Sequence, residues 1–149
     1  MKPDVQTVML KSFERMMTDI APHLTAEYAM GSAAVIGLMM FQTATEFERA
    51  AEIRVQENDA LRGIFKDALR VVADDALKVR LEAASSSVDQ SLAISALDET
   101  NDGLVALLIE LQDHIEQLGG DDARQLETKI WDELVRSAEA RRLPHPMVG

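Results

Sequence analysis

The sequence predicts an all-α protein, an up-and-down antiparallel bundle of four to five helices in one domain, residues 1–149, with 143–149 as a flexible tail. Its four prolines stand at positions 3, 22, 144 and 146, so 121 consecutive residues contain none. Alanine and leucine are the commonest residue types, with 20 and 17 copies. Both are among the best helix formers, whereas a proline inside a helix costs about 3 kcal/mol. No stretch alternates polar and apolar residues between hairpin turns, so we expect no sheet.

Two helices are predicted in the first part of the chain. Asp4 caps the first, whose apolar residues follow helical spacing until Pro22 stops it. Thr25 offers its hydroxyl to the free amides of the second helix, and Glu27 lies favourably in the first turn of that helix. Because the links between amphipathic helices are short, neighbouring helices are expected to run antiparallel.

The second helix has two possible ends. Its apolar stripe continues through Asn58 and Arg62, which are both poor core residues. Either the helix runs on to about Val72, or Asn58 caps a third helix. An uninterrupted helix from residue 26 to about residue 84 would be about 88 Å long. That is too long for a compact domain of this size, so we expect a break or a sharp bend, and the sequence leaves open whether it lies near Asn58 or after about Val72.

Later boundaries are set by serines, glycines and acids. Ser87 with Gln90 three residues later matches a capping box, in which side chains satisfy two unpaired amides. The helix that follows ends at Gly119-Gly120, because a left-handed residue closes a helix cheaply only when it lacks a Cβ atom. Asp122 with Gln125 forms a second capping box, which starts the last helix.

Composition and charge exclude several classes of function. The formal net charge is −11 and aromatic residues make up 4% of the chain, which argues against a nucleic-acid partner. There is no cysteine, and therefore no thiol catalysis or cysteine-ligated zinc. The N-terminus does not resemble a signal peptide, and the uncharged stretch Tyr28–Thr45 is too polar to span a membrane. We therefore expect a cytoplasmic protein without a membrane partner.

Carboxylates and a histidine on two helices offer an alternative, a ferritin-like metal enzyme. Glu48, Glu52, Glu110 and His114 could converge on a metal. Such sites use Glu-x-x-His pairs, however, and here Glu110 precedes His114 by four residues and no second histidine is suitably placed. His114 is better interpreted as a partly buried residue at the edge of an apolar face. No metal or other cofactor is therefore predicted.

Small residues on the second helix predict a subunit interface. Ala29, Ala33 and Gly37 are spaced four apart, and small side chains let a second backbone approach closely. Around them, up to Met40, the helix is apolar on every side, and a single neighbour cannot cover such a helix. Either this helix is central within the fold, or part of it is buried in a subunit interface. We favour a homo-oligomer, with a two-fold dimer as the default.

Acidic residues on the fourth helix predict a second contact surface. No lysine or arginine occurs between Arg80 and Arg124, whereas ten acids do. A small apolar island flanked by acids lies on the face opposite Leu111. Its members are Asp98, Asp102, Val105, Ile109, Asp113 and Glu116. Like charges four apart are mildly destabilising, so a basic protein partner is one explanation for their presence.

The favoured function is a non-enzymatic protein that acts through protein–protein contacts. Besides the metal enzyme, a carrier for an apolar ligand is an alternative, because bundle interiors can hold cavities. Its site would lie near Met30, Met39, Met40 and Phe41.

Overall fold

The computed structural model describes residues 4–144 and residue 146. In this part of the chain there are five α-helices and no strand, which confirms the all-α class. The helices are α1 (Val5–Arg15), α2 (Glu27–Ala68), α3 (Asp75–Ser85), α4 (Ile94–Leu118) and α5 (Asp121–Arg141). The up-and-down arrangement stays a prediction. Of the predicted tail, residues 145 and 147–149 lie outside the described residues.

The chain forms two compact units. The first comprises Met1–Ala50 with Arg142–Gly149, and the second comprises Ala51–Arg141. Helix α2 contributes its residues up to Ala50 to the first unit and the rest to the second. The prediction of a single domain stays a prediction.

The first unit begins as the sequence predicts. Asp4 caps α1, accepting hydrogen bonds from the Gln6 amide at 3.2 Å and from the Thr7 hydroxyl at 2.6 Å. The α-helix ends before Pro22 is reached, since a π-helical turn, Met16–Ile20, and a 3-10 turn, Ala21–His23, follow Arg15. Helix α2 starts at Glu27, and the carbonyl of Ala26 accepts its first hydrogen bond, from the Met30 amide.

Of the two possible ends of the second helix, the structure has the later one, close to Val72. Helix α2 runs without interruption to Ala68, and the chain breaks instead in the segment 69–74, after which Asp74 caps α3 by accepting a hydrogen bond from the Leu77 amide at 2.6 Å. The physical reason is that Asn58 and Arg62 are buried together with polar partners from the α3–α4 connection and α4. The helix can therefore carry both residues on its inward face.

The core of the second unit lies where α2, α3, α4 and α5 meet. Its buried members are all aliphatic or aromatic. They are Leu61, Ile64, Phe65, Ala68, Val72, Leu77, Leu81, Leu104, Leu108, Leu111, Ile115, Ala123, Leu126 and Ile130.

One of the predicted later boundaries is confirmed and two are wrong. Helix α4 begins at Ile94 rather than after Ser87, because the Ser87 hydroxyl donates to the Ala84 carbonyl at 2.7 Å and so closes α3. Gly119-Gly120 ends α4 as predicted, with φ values of 62° and 94°. Helix α5 starts at Asp121, so Asp122 lies in its first turn and is not its cap.

Within the described part of the chain, no helix combines the length and the apolar character that a membrane crossing requires.

Candidate functional site

The open α2 face is a largely apolar surface on the first unit, formed by the exposed Tyr28, Val35, Ile36 and Met39 together with the half-buried Ser32. The helical repeat places these residues on one side of α2. Tyr28 is 90% exposed, Val35 58% and Met39 61%. Monomeric proteins rarely expose a contiguous apolar patch larger than a few hundred Å², so this face is a candidate contact surface.

The opposite side of α2 is occupied by the chain itself. At 100° per residue, Gly37 lies about 180° from Tyr28. A Cβ atom at Gly37 would come within 3.0 Å of the Met17 sulfur and 3.4 Å of the Phe13 ring, so glycine permits this close approach. The ring of Phe13 also packs on that of Phe41, with centroids 5.6 Å apart.

The predicted small-residue interface is therefore divided. Ala33 and Gly37 are buried, and Gly37 faces Met17 and Phe13 of the same chain. Ala29 and Met40 are half-buried. Whether these four residues meet a second copy stays a prediction. Val35 and Met39 of the open α2 face are more exposed than any of the four.

A buried polar network holds the α3–α4 connection in the second unit. Asp89 accepts hydrogen bonds from the Arg62 guanidinium, at 2.7 Å and 3.2 Å, and from the Asn58 side-chain amide at 3.0 Å. The Asn58 side-chain oxygen, Oδ1, accepts a hydrogen bond from the Asn101 side-chain amide at 2.9 Å. The hydrogen bonds from Arg62, and then those from Asn58, hold the pKa of Asp89 below its usual value despite partial burial.

A second buried carboxylate lies in the α4–α5 groove. This groove is about 580 Å³ in volume and is lined by residues of α2, α4 and α5. The Glu57 carboxylate accepts hydrogen bonds from the Arg141 guanidinium at 2.8 Å and 2.5 Å, and from the Ser137 hydroxyl at 2.5 Å. Burial alone would raise the pKa of Glu57, but these hydrogen bonds outweigh that effect, and the pKa lies below its ordinary value.

The rest of the groove combines apolar and acidic side chains. Leu61 and Leu108 are buried in the core beneath it, while Val105 and Leu134 are 37% and 39% exposed. Arg54 donates a hydrogen bond to Asp98 at 2.6 Å. Of the acidic surface predicted on α4, the residues Asp98, Asp102 and Val105 line the groove.

The remaining members of the acidic surface lie farther along α4. Ile109 is 63% exposed, and Asp113 and Glu116 are also exposed. Trp131 on α5 adds further exposed apolar surface to the second unit. The predicted exposure of the Val105 and Ile109 side chains is therefore present in the structure, and their role in binding stays a prediction.

The four residues of the metal alternative are not assembled into a site. Among the described residues no group of three or more His, Asp or Glu side chains is placed to hold a metal ion. Glu110 pairs instead with Arg80 of α3 at 2.5 Å, and Glu52 accepts a hydrogen bond from Gln56 at 3.2 Å. Glu48 is exposed.

His114 is half-buried, in agreement with the boundary position predicted for it. Its Nε2 atom is buried without a hydrogen-bond partner among the described residues.

The side chains of the carrier alternative are only partly enclosed, since Met30 and Met39 are exposed and Phe41 packs on Phe13.

Sequence reasoning missed the groove and its central residues, Glu57 and Arg141. A signal for the polar network was present, because Asn58 and Arg62 lie on an apolar stripe and must find buried partners there. The acidic partner, Asp89, could not be identified in advance, since it is separated from them by a helix and two turns.

Comparison of the chain with protein-family models, with curated proteins and with solved structures finds no match.

Proposed function

We propose that the protein acts through protein–protein contacts as a homodimer, in which the open α2 face of one chain packs on the same face of a second copy. The observation that carries the proposal is the imbalance between buried and exposed apolar side chains in the first unit. Among its described residues only Ala33, Gly37, Ala44 and Ala50 are buried. Ten large apolar side chains of the same unit are exposed: Val5, Val8, Leu10, Ile20, Tyr28, Met30, Val35, Ile36, Met39 and Phe47.

This imbalance favours a partner for energetic reasons. Burial of apolar surface contributes about 25 cal/mol per Å², and three alanines and a glycine supply little such surface. Units below about 70 residues commonly need oligomerisation or another constraint to be stable. In each first unit α1 packs on the first part of α2. Two such pairs of helices that meet through their exposed faces would form a four-helix bundle, which is a stable arrangement for such elements.

The distribution of charge favours a second copy as the partner. Two chains that each carry a charge of −11 repel one another, and they can approach most easily where neither is charged. The stretch Tyr28–Thr45 carries no charge at all and contains the open α2 face. A two-fold axis brings the same surface of both chains together, so an uncharged apolar surface is complementary to itself.

Sedimentation velocity of two matched double variants tests the proposal. Val35→Glu with Met39→Glu adds two carboxylates to the open α2 face. Val79→Glu with Val88→Glu adds two carboxylates at sites that are 66% and 68% exposed in the second unit.

The unchanged chain and the second variant are expected to sediment with twice the chain mass of 16.5 kDa. The first variant should dissociate with a dimer constant weakened by about 1,000-fold or more, because it places four unpaired carboxylates in the interface and each costs at least about 1 kcal/mol. A monomeric unchanged chain at about 100 µM would overturn the proposal, as would equal dissociation constants for the two variants. At that concentration a dimer held by a typical apolar interface is assembled.

A further inference from the structure

We infer that the α4–α5 groove of the second unit binds a basic amphipathic helix from a partner protein. This inference concerns a different surface from the open α2 face and does not depend on dimerisation. It is carried by the shape of the groove, by its exposed apolar side chains and by the charges around it.

The apolar component of the groove suits the nonpolar side of a helix. Leu61 and Leu108 form a buried apolar layer beneath the surface, and Val105 on α4 and Leu134 on α5 remain partly exposed above it. Ile109, one turn beyond Val105, extends the apolar strip along α4. An amphipathic helix that lays apolar residues into such a groove is a recurrent mode of recognition.

The charge around the groove selects a cationic partner. Helix α4 contains no lysine or arginine, and the exposed carboxylates of Asp102, Asp113 and Glu116 lie on the same side of it as Val105. The two arginines that line the groove are held by carboxylates, Arg54 by Asp98 and Arg141 by Glu57. Glu133, a further carboxylate of the lining, is held by Arg136. The exposed carboxylates of Asp102, Asp113 and Glu116 are therefore the ones that an added lysine or arginine meets.

The same charges disfavour the other possible occupants. A second copy of this chain carries a net charge of −11 and would be repelled from an acidic groove. An anionic ligand would have to displace Asp98 or Glu57 from the arginines that they hold. A basic helix satisfies both the apolar strip and the acidic rim.

A labelled synthetic peptide provides the probe. It is a helix of about 18 residues with leucine at positions i, i+3, i+4 and i+7 and lysine on the other side. One control peptide has the same composition in an order that forms no apolar face, and another has glutamate in place of lysine. Fluorescence anisotropy at moderate salt is expected to show micromolar binding of the first peptide, and binding of both controls at least 10-fold weaker.

Two protein variants then locate the site. Val105→Asp with Leu134→Asp should weaken binding of the basic amphipathic peptide at least 10-fold. The matched Val79→Asp with Val88→Asp should leave binding within about 2-fold, because these side chains lie on other exposed positions of the same unit. Circular dichroism of both variants confirms that each is folded, and truncation to Val105→Ala with Leu134→Ala replaces the first variant if it is not.

Three results would overturn the inference. The reordered basic peptide could bind as tightly as the amphipathic one, which would show charge attraction without a groove. The two variants could weaken binding equally. Sedimentation of the Val105 and Leu134 variant could show loss of a dimer, which would assign the groove to a second copy of the chain.

Discussion

Removal of the Asp89 carboxylate is expected to destabilise the second unit strongly. In the folded chain the Arg62 and Asp89 side chains are 8% and 10% exposed. Asp89→Ala deletes two hydrogen bonds from Arg62 and one from Asn58. It leaves a buried guanidinium with fewer partners, and breaking one side of a buried ion pair costs about 3–5 kcal/mol.

The expected loss lies at the lower end of that range. Arg62 retains hydrogen bonds to Asp59 at 2.9 Å and to the Ser87 hydroxyl at 3.1 Å. We therefore expect Asp89→Ala to lower the free energy of unfolding by about 3 kcal/mol. For a unit of this size, that corresponds to a fall of about 12–24 °C in Tm.

Urea denaturation followed by circular dichroism at 222 nm measures this loss, with the protein concentration held constant. Asp132→Ala is the control, because Asp132 is exposed on α5 and its removal should change the free energy of unfolding by less than about 0.5 kcal/mol. A loss for Asp89→Ala that is no greater than for this control would refute the argument that the network stabilises the fold.

The same variant has a predicted pH dependence. Because the pKa of Asp89 is lowered in the folded chain, its contribution is fully present above the unfolded pKa, about 3.9, and is lost as the pH falls through the folded pKa. The difference in stability between the unchanged chain and Asp89→Ala should therefore be largest near pH 7 and should narrow below about pH 4. A difference that is constant from pH 7 to pH 3 would contradict the assignment.

Three further predictions follow from burial, charge and close packing. Leu81→Ala truncates a side chain with 0% exposure and should lower the free energy of unfolding, measured in urea, by about 2–5 kcal/mol. Leu92→Ala is the control, because Leu92 is 71% exposed and its truncation should lower this free energy by less than about 0.5 kcal/mol. Equal losses would contradict the assigned core. Glu57→Gln should flatten the decline in the free energy of unfolding below pH 4.5, the ordinary pKa of a glutamate. The pKa of Glu57 is lowered in the folded chain, so the stability that its carboxylate contributes is lost on acidification. A pH profile that is the same for both proteins would refute this prediction. Gly37→Val should lower the Tm of the first unit, because its Cβ atom would lie 3.0 Å from the Met17 sulfur, and an unaltered Tm would show that α1 does not pack there.

The elements that the sequence predicts best are those fixed by local chemistry. Asp4 caps α1 and Gly119 ends α4, because each effect depends on one side chain, or its absence, and the adjacent backbone. The break after Ala68 was harder to predict, since Asn58 and Arg62 resemble a helix end until their partner Asp89 is known. Tertiary hydrogen bonds determine that boundary.

In the candidate surfaces, too, the features that depend on one helix could be predicted, and those that depend on contacts between distant residues could not. The exposure of Val105 and Ile109 follows from their position on an amphipathic helix, which can be read from spacing alone. Gly37, in contrast, is predicted to lie in a subunit interface, because its sequence environment does not reveal that Phe13 and Met17 cover it. The groove depends on α2, α4 and α5 together, and no periodicity within one helix encodes it.

Hydrogen–deuterium exchange of the unchanged chain at two protein concentrations tests most directly whether the open α2 face is a contact between copies. On raising the concentration from about 1 µM to about 100 µM, amides between Tyr28 and Phe47 are expected to exchange more slowly, because dimerisation suppresses local opening of a helix with little core of its own. Amides of α3 should be unaffected. Exchange that does not depend on concentration, or slowing confined to α3, would contradict the account.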